Sequence, residues 1–529
     1  MGMPEVPEAM HISRLIHMHQ FRATKKLQSS VAEVRKLKLM QELTMFQNHK
    51  GHFPPKKLAI EVRGSPTYIL DTLPFHNNVR LFNIFELQQL GELRHLGGAL
   101  TISNLHKVKT REEAEKAKLR LKRNLVRLKP VWDEAGSEQT DEEANSIEGL
   151  QPPANIRELC IKNHKGITCP SWFHSANSFK ALEILHLHGV SWNTLPPFGQ
   201  ISCLRKLKLE NIAIENFEVC SSVPLGTLQK LTSLEALTFE DCSNLSSGRG
   251  ENAVIKISIK HLVLRNCNIA GKELSKILAC CPCLSHLEME DCNGITGLRM
   301  QQSVHEMDDD GNDVGVLQFP SKFTNTLSKL SIFSRNDITL NVNREVLGKL
   351  KSLQWLQLGG CVLSCAAMQA VDDDLPLANN LKVLRAYGYD KPDQAQDWLM
   401  TRIARTVVAG SFQLEELDIG SISGVLVAPI CNHLSTSLHR LTFRNDTLVQ
   451  SFTEEQDIAL QSLSSLQDLI FYGCDRLQSL PPSLRFLYSL WRLEVSFQKL
   501  QGHIAELQKQ CNDLWQDIPE VVLTCIPLI

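Results

Sequence analysis

The chain has 529 residues, is 43% hydrophobic and carries a formal net charge of −2. That balance argues against a strongly cationic nucleic-acid binder or a protein steered to an anionic membrane, and against a disordered polyelectrolyte. No apolar run approaches the roughly 18 residues that a membrane-spanning helix needs.

The first residues, MGMPEVPEAMHISRL, lack the apolar core of a secretory leader. Val6 stands where a myristoylation motif wants Ser or Thr. Sixteen cysteines without such a leader read as cytosolic thiols rather than a disulfide framework, so a cytoplasmic (or nuclear) location is expected.

Residues 1–46 read as degenerate leading repeats, with one apolar core at Val34/Leu37/Leu39. Residues 47–83 break the pattern with Pro, Asn and His and read as an insertion or irregular segment. The pattern resumes over 84–132 as a repeat plus a helical segment. Thr110-x-x-Glu113 is a capping-box signature. Ala114, Ala117, Leu121, Leu125 and Leu128 then fall on one helical face. Pro130 is expected to end any regular element there. Residues 133–153 are acidic and poor in aromatics, and read as an acidic loop on the rim.

From 154 to 500 a Leu-x-x-Leu-x-Leu spacing recurs. It appears as Leu204/Leu207/Leu209, Leu234/Leu237/Phe239, Ile259/Leu262/Leu264, Leu284/Leu287/Met289 and Leu353/Leu356/Leu358. It continues as Leu414/Leu417/Ile419, Leu438/Leu441/Phe443, Leu466/Leu469/Phe471 and Leu490/Leu493/Val495. This is a leucine-rich repeat signature. It predicts an α/β solenoid of about fourteen units: a curved horseshoe with a long parallel sheet on its concave face and an irregular or helical convex side. In each unit the alternate leucines turn inward and the intervening residues face solvent. The long step from Leu284 to Leu327 holds HEMDDDGNDVG, read as a loop or excursion. Residues 501–529 are expected to form a tail or cap.

Several units carry Cys three residues after the last apolar strand position: Cys242, Cys267, Cys292, Cys361 and Cys474. A small buried thiol stacks well at that turn. Cys280-Cys281-Pro282-Cys283 has no second pair to complete a zinc site and reads as a turn. The run Asp308–Asp313 has Gly311 at its fourth position and Phe319 at its twelfth, which does not fit a calcium loop. Neither a nucleophile elbow, a zinc-protease motif nor a kinase signature occurs. The sequence therefore nominates no catalytic residue, cofactor or metal ligand.

The solvent-facing strand positions are the better candidates. They include His186, His188 and Glu210. The set offered for a protein partner is Lys206, Lys208, His261, Arg265, His286, Glu288, Trp355, Arg385, Tyr387, Glu416, Asp418, Arg440, Arg444, Asp468 and Tyr472. Exposed aromatics give contact area at little entropic cost, and alternating charge sets specificity.

Three stretches carry a family resemblance: FELQQLGELRHLGGALTISNLHKVKTREEAEKAKLRLKRNLVRL (85–128), LPPFGQISCLRKLKLENI (195–212) and LSSLQDLIFYGCDRLQSLPPSLRFLYSLWRLEV (463–495). They resemble the repeat region of plant intracellular nucleotide-binding leucine-rich-repeat immune receptors of the coiled-coil class. The resemblance implies a protein-recognition module. Such a module holds a nucleotide switch closed and senses a pathogen effector or a guarded host protein. No Gly-x-x-x-x-Gly-Lys-Ser/Thr loop occurs in this chain, so nucleotide binding is not carried over. The chain looks like the C-terminal part of such a receptor or a truncated relative. Pro130 departs from the family pattern and puts one strand in doubt. A stand-alone adaptor, such as a ubiquitin-ligase substrate receptor, is the alternative, since LEMEDCNGIT (287–296) is similar to those repeats. A decoy fragment is a further one.

Overall fold

The computed structural model describes residues 58–63, 83–85, 87–132, 141–175, 178–212, 231–242, 245, 256–301, 314–342, 344–364, 380–387, 414–497, 504–514 and 518–525. The leading repeat around Val34, the first part of the acidic segment and the run Asp308–Asp313 lie outside them.

The strands are β1 (Leu58–Arg63), β2 (Asn83–Phe85), β3 (Gly98–Ser103), β4 (Leu125–Pro130), β5 (Glu158–Lys162), β6 (Ile184–His188) and β7 (Lys206–Glu210). Next come β8 (Ala236–Glu240), β9 (His261–Arg265), β10 (His286–Glu290), β11 (Gly297–Met300), β12 (Val316–Phe319), β13 (Lys329–Val342) and β14 (Trp355–Ser364). The last are β15 (Val383–Tyr387), β16 (Glu416–Ile419), β17 (Arg440–Arg444), β18 (Asp468–Tyr472), β19 (Arg492–Phe497) and β20 (Glu520–Cys525). Sixteen of them form one long parallel sheet, the expected leucine-rich repeat solenoid.

Each unit is held by a column. Leu207, Leu237, Leu262, Leu287, Leu330, Leu356, Leu384, Leu417, Leu441, Leu469 and Leu493 stand in register from strand to strand. None is more than 3% exposed. A single five-residue strand could not bury its apolar face, but a neighbour about 4.8 Å away covers it.

The turn after the strand is equally regular. Asn163, Gly189, Asn211, Asp241, Asn266, Asp291, Asn445 and Gly473 each follow a strand with φ between +48° and +67°. Only Gly, Asn and Asp visit this left-handed region readily. Each of these residues donates its N–H to a carbonyl of the next strand in the sheet, at 2.6 to 2.9 Å. The ladder thus gains one more rung beyond the strand. Behind it the thiols of Cys242, Cys292 and Cys474 reach carbonyl oxygens of Leu209, Leu264 and Phe443 on the previous strand, at 3.5, 3.7 and 3.6 Å. Cys361 departs from the expected turn position. It lies inside β14, opposite Ile338, because β13 and β14 shift register and run on together past the usual turn.

Four sequence expectations change. The segment 47–83 contributes β1, which pairs antiparallel with β3 from Ala59↔Ser103 to Arg63↔Ala99 and so covers what would be the open edge of the sheet. The capped helix is short. Thr110 Oγ1 accepts from Glu113 N–H as expected, but the helix spans only Arg111–Glu115, Lys118 turns left-handed at φ +49°, and Leu125 and Leu128 belong to β4. Leu121 is left 66% exposed. Pro130 does not abolish its strand. Val131 N–H bonds Ile102 O at 2.8 Å, and the pairing with β5 skips the proline before resuming at Val131↔Lys162. The acidic segment is helical over Asp141–Glu148 and buries Ile147 and Leu150, which anchor it to the core.

At the far end, a helix over Ile504–Leu514 buries Leu507 and Cys511. β20 then pairs in parallel with β19, so 501–529 adds a unit to the sheet. The long step after Leu284 holds β11 and β12, a small second ladder that joins β13 at Asn341 and Val342.

Candidate functional site: the concave face

The outward residues of adjacent strands stand about 4.8 Å apart, so long polar side chains reach across strands. A continuous ionic lattice results. Lys208 Nζ lies 2.7 Å from both Glu210 and Glu240. Arg265 reaches Glu288 at 2.8 Å, Glu290 at 3.1 Å and Glu240 at 3.8 Å. Lys329 meets Glu288 at 3.6 Å, and Arg335 meets Glu290 and Asp291, both at 3.3 Å. His261 and His286 stack with centroids 4.3 Å apart. Burial, then neighbouring cations, push both below the usual imidazole value, with His261 also feeling an opposing pull from Glu235.

Lys206 and Lys208 do not together make a basic patch. Lys206 is exposed, but Lys208 is neutralised by the two glutamates. Glu240 and Lys329 were not in the candidate set. Both were findable, because they occupy the same outward frame of the β8 and β13 repeats.

The second half of the face is built from cations and rings. Trp355 is flanked by Lys329 at 5.1 Å and Arg385 at 4.5 Å. Arg385 also meets Glu416 at 3.2 Å. Arg440 holds Asp468 at 2.6 Å and Glu416 at 3.5 Å. Arg444 sits between Tyr387 and Tyr472, 4.6 and 4.7 Å from their centroids, and clasps Asp418 at 2.9 Å. Tyr387 and Asp418 are therefore buried, 8% and 6% exposed, and not the open contact residues the pattern suggested. Their neighbours close over them because the units stack edge to edge. All fifteen candidates are on one face. Most are already engaged with one another.

Upstream, His186 Nε2 and His188 Nδ1 lie 2.7 and 2.6 Å from the two oxygens of Glu210. Burial alone would raise the Glu210 carboxyl; Lys208, His188 and His186 together bring it down to about 2. Burial lowers His186 despite its bond to Glu210. The three thiols of the Cys280–Cys283 turn diverge instead. Cys281 is buried against Ile277 O, Cys280 bonds Lys276 O and Cys283 is exposed.

Beside β19, Phe486, Tyr488 and Trp491 are exposed by 53%, 93% and 56%. They were not singled out from sequence, although LRFLYSLW shows them at positions outside the repeat leucines.

Residues 87–212 match the R13L1/DRL21 leucine-rich repeat family model. The disease resistance protein RGA2 of Solanum bulbocastanum is 36% identical over 124 residues, which is 23% of this chain and 13% of that protein. Its counterpart RGA1 from the same plant is 32% identical over 166 residues, 31% of this chain and 17% of that one. RPP13-like protein 1 of Arabidopsis thaliana is 31% identical over 135 residues, 24% and 13%. The similarity thus spans under a fifth of these relatives. A leucine-rich repeat protein of Leptospira interrogans superposes over 82% of this chain and 97% of its own, with 18% identity and a TM-score of 0.42. The chain has the leucine-rich repeat fold, with residues 87–212 matching the R13L1/DRL21 leucine-rich repeat model and part of the chain similar to plant disease resistance proteins.

Proposed function

We propose that this chain is the sensing repeat region of a plant intracellular immune receptor. The observation that supports it is the R13L1/DRL21 match over 87–212, together with 31–36% identity over part of the chain to proteins named for disease resistance. The site acts by binding, without bond chemistry. A partner that favours one state of an attached nucleotide switch domain shifts the switch by its difference in affinity for the two states. The partners in this reading are that switch domain, and a pathogen effector or guarded host protein, in the cytoplasm or nucleus.

The concave face and the aromatic edge beside β19 divide the work. The paired lattice of β7–β13 suits a polar contact that exchanges ion pairs, which gives specificity more than affinity. The exposed aromatics Phe486, Tyr488 and Trp491 offer the anchor that a tighter protein contact needs.

The test is the native mass, using an antibody against residues 133–153 on source tissue. A species well above the 59.5 kDa of this chain is expected for a receptor. A species at that mass would overturn the reading in favour of a stand-alone repeat protein.

A further inference from the structure

The geometry points to a zinc-binding site on the concave face, formed by His186, His188 and Glu210. It is independent of the receptor reading.

His186 and His188 are two apart on β6 and so share a face, and Glu210 stands opposite His188 on β7. One nitrogen of each ring and one carboxylate oxygen lie within 4.8 Å of one another. Two imidazoles and a carboxylate form a donor set that zinc takes with a fourth position left open. Here that position faces the solvent of the concave side. Tetrahedral donors at about 2.0–2.2 Å from the metal stand roughly 3.3 Å apart. The present contacts to Glu210 are 2.7 and 2.6 Å, so each opens by roughly 0.6–0.7 Å to admit the ion.

The surroundings fit. Metal-bound histidines donate their other N–H to an acceptor that fixes the ring. Cys160 on β5 provides one, with Sγ 3.4 Å from Nδ1 of His186. Each neutral imidazole frees its metal-facing nitrogen by moving its proton to the other one. Cys160 therefore supports His186 and is not itself a ligand. Lys208, the cation paired with Glu210, already has a second carboxylate at 2.7 Å in Glu240 and keeps a partner when Glu210 turns to the metal.

The experiment equilibrates the full chain with micromolar Zn2+, removes free metal by gel filtration and measures bound zinc, with Co2+ as the spectroscopic probe. One zinc per chain is expected, with Co2+ showing d–d bands and no thiolate charge-transfer band. His188→Ala and Glu210→Gln should each lower affinity at least tenfold. His261→Ala, at a histidine pair without a carboxylate ligand, and Cys160→Ser should keep one zinc. Circular dichroism in EDTA identifies any variant that does not fold, and the other ligand variant then decides. Absence of bound zinc in the wild-type chain overturns the proposal. So does equal retention by His188→Ala and His261→Ala, or a thiolate band in the Co2+ spectrum.

Discussion

Arg444 is the side chain whose loss should be felt most on the concave face. It lies between Tyr387 and Tyr472 and makes three contacts to Asp418, at 3.1, 3.3 and 2.9 Å. Asp418 is 6% exposed, so truncating Arg444 leaves a buried carboxylate without its cation. Breaking such a pair costs about 3–5 kcal/mol, to which the two ring contacts contribute on the order of 0.5–2 kcal/mol each without strict additivity. Because solenoid units couple mainly to their neighbours, the loss should be local. Native-state hydrogen exchange of the amides in β16–β18 is the suitable assay, read against β5–β7 as an internal reference. Arg444→Ala should accelerate exchange in β16–β18 by about a hundredfold or more, the equivalent of roughly 3 kcal/mol, and leave β5–β7 unchanged. Adding Asp418→Asn should recover part of the loss, since the orphaned charge is gone. Arg335 is the control: its side chain is 73% exposed, so Arg335→Ala should cost under about 0.5 kcal/mol. Equal effects at Arg444 and Arg335, or no recovery with Asp418→Asn, would refute the reasoning.

Further outcomes follow from the turns, the buried lysine and the thiols. At Asn266, φ +48°, Asn266→Val should cost about 1–2 kcal/mol while Asn266→Gly stays near neutral, measured by thermal denaturation. Lys122 is buried, and its Nζ donates to the carbonyls of Leu90 and Leu93 at 2.7 and 2.8 Å, closing the end of the helix Leu87–Glu92. Lys122→Met should therefore cost about 1–3 kcal/mol by leaving buried acceptors unpaired. Burial lowers the Lys122 ammonium to about 8, so the folded state releases its proton before the unfolded one does. The wild type should then gain stability over Lys122→Met as pH rises from 8 toward 10.5, and a gap constant across that range would contradict the assignment. Among the described thiols, exposed Cys283 should alkylate first in the folded protein. Cys281 and Cys474, pushed up to about 12 by burial, should stay protected until unfolding, as peptide mapping will show.

The leucine columns were legible because one spacing recurs and each recurrence must be buried by the next. So were the outward positions, since alternation along a strand fixes the face. Register was legible too: aligning Leu441 with Leu469 places Arg440 beside Asp468. What could not be read was engagement. Tyr387 is buried by Arg444, a residue 57 positions later that only stacking brings alongside. The stretch Ala114–Leu128 was misread as one helix because Leu125-x-x-Leu128 satisfies both helical spacing and the repeat's own three-residue step; the left-handed Lys118 decides. In Asp141–Glu148 too few apolar residues mark the helix, and burial of Ile147 and Leu150 supplies what periodicity did not show. The strand β1 was hidden by its flanking breakers, although Leu58, Ile60 and Val62 alternate.

The central claim is that this solenoid recognises protein through its concave face and the exposed aromatic edge. The most direct measurement is binding of this chain, by interferometry, to a separately produced nucleotide-binding switch domain, the partner proposed for it. Glu288→Lys and Arg440→Glu would probe the concave face, Tyr488→Ala with Trp491→Ala the edge, and Lys272→Glu, on the helix Gly271–Ala279, the side away from both. Micromolar or tighter binding is predicted, weakened at least tenfold by one of the first two sets and unchanged by Lys272→Glu. Binding insensitive to both sets, or lost only with Lys272→Glu, would place recognition elsewhere and contradict the account.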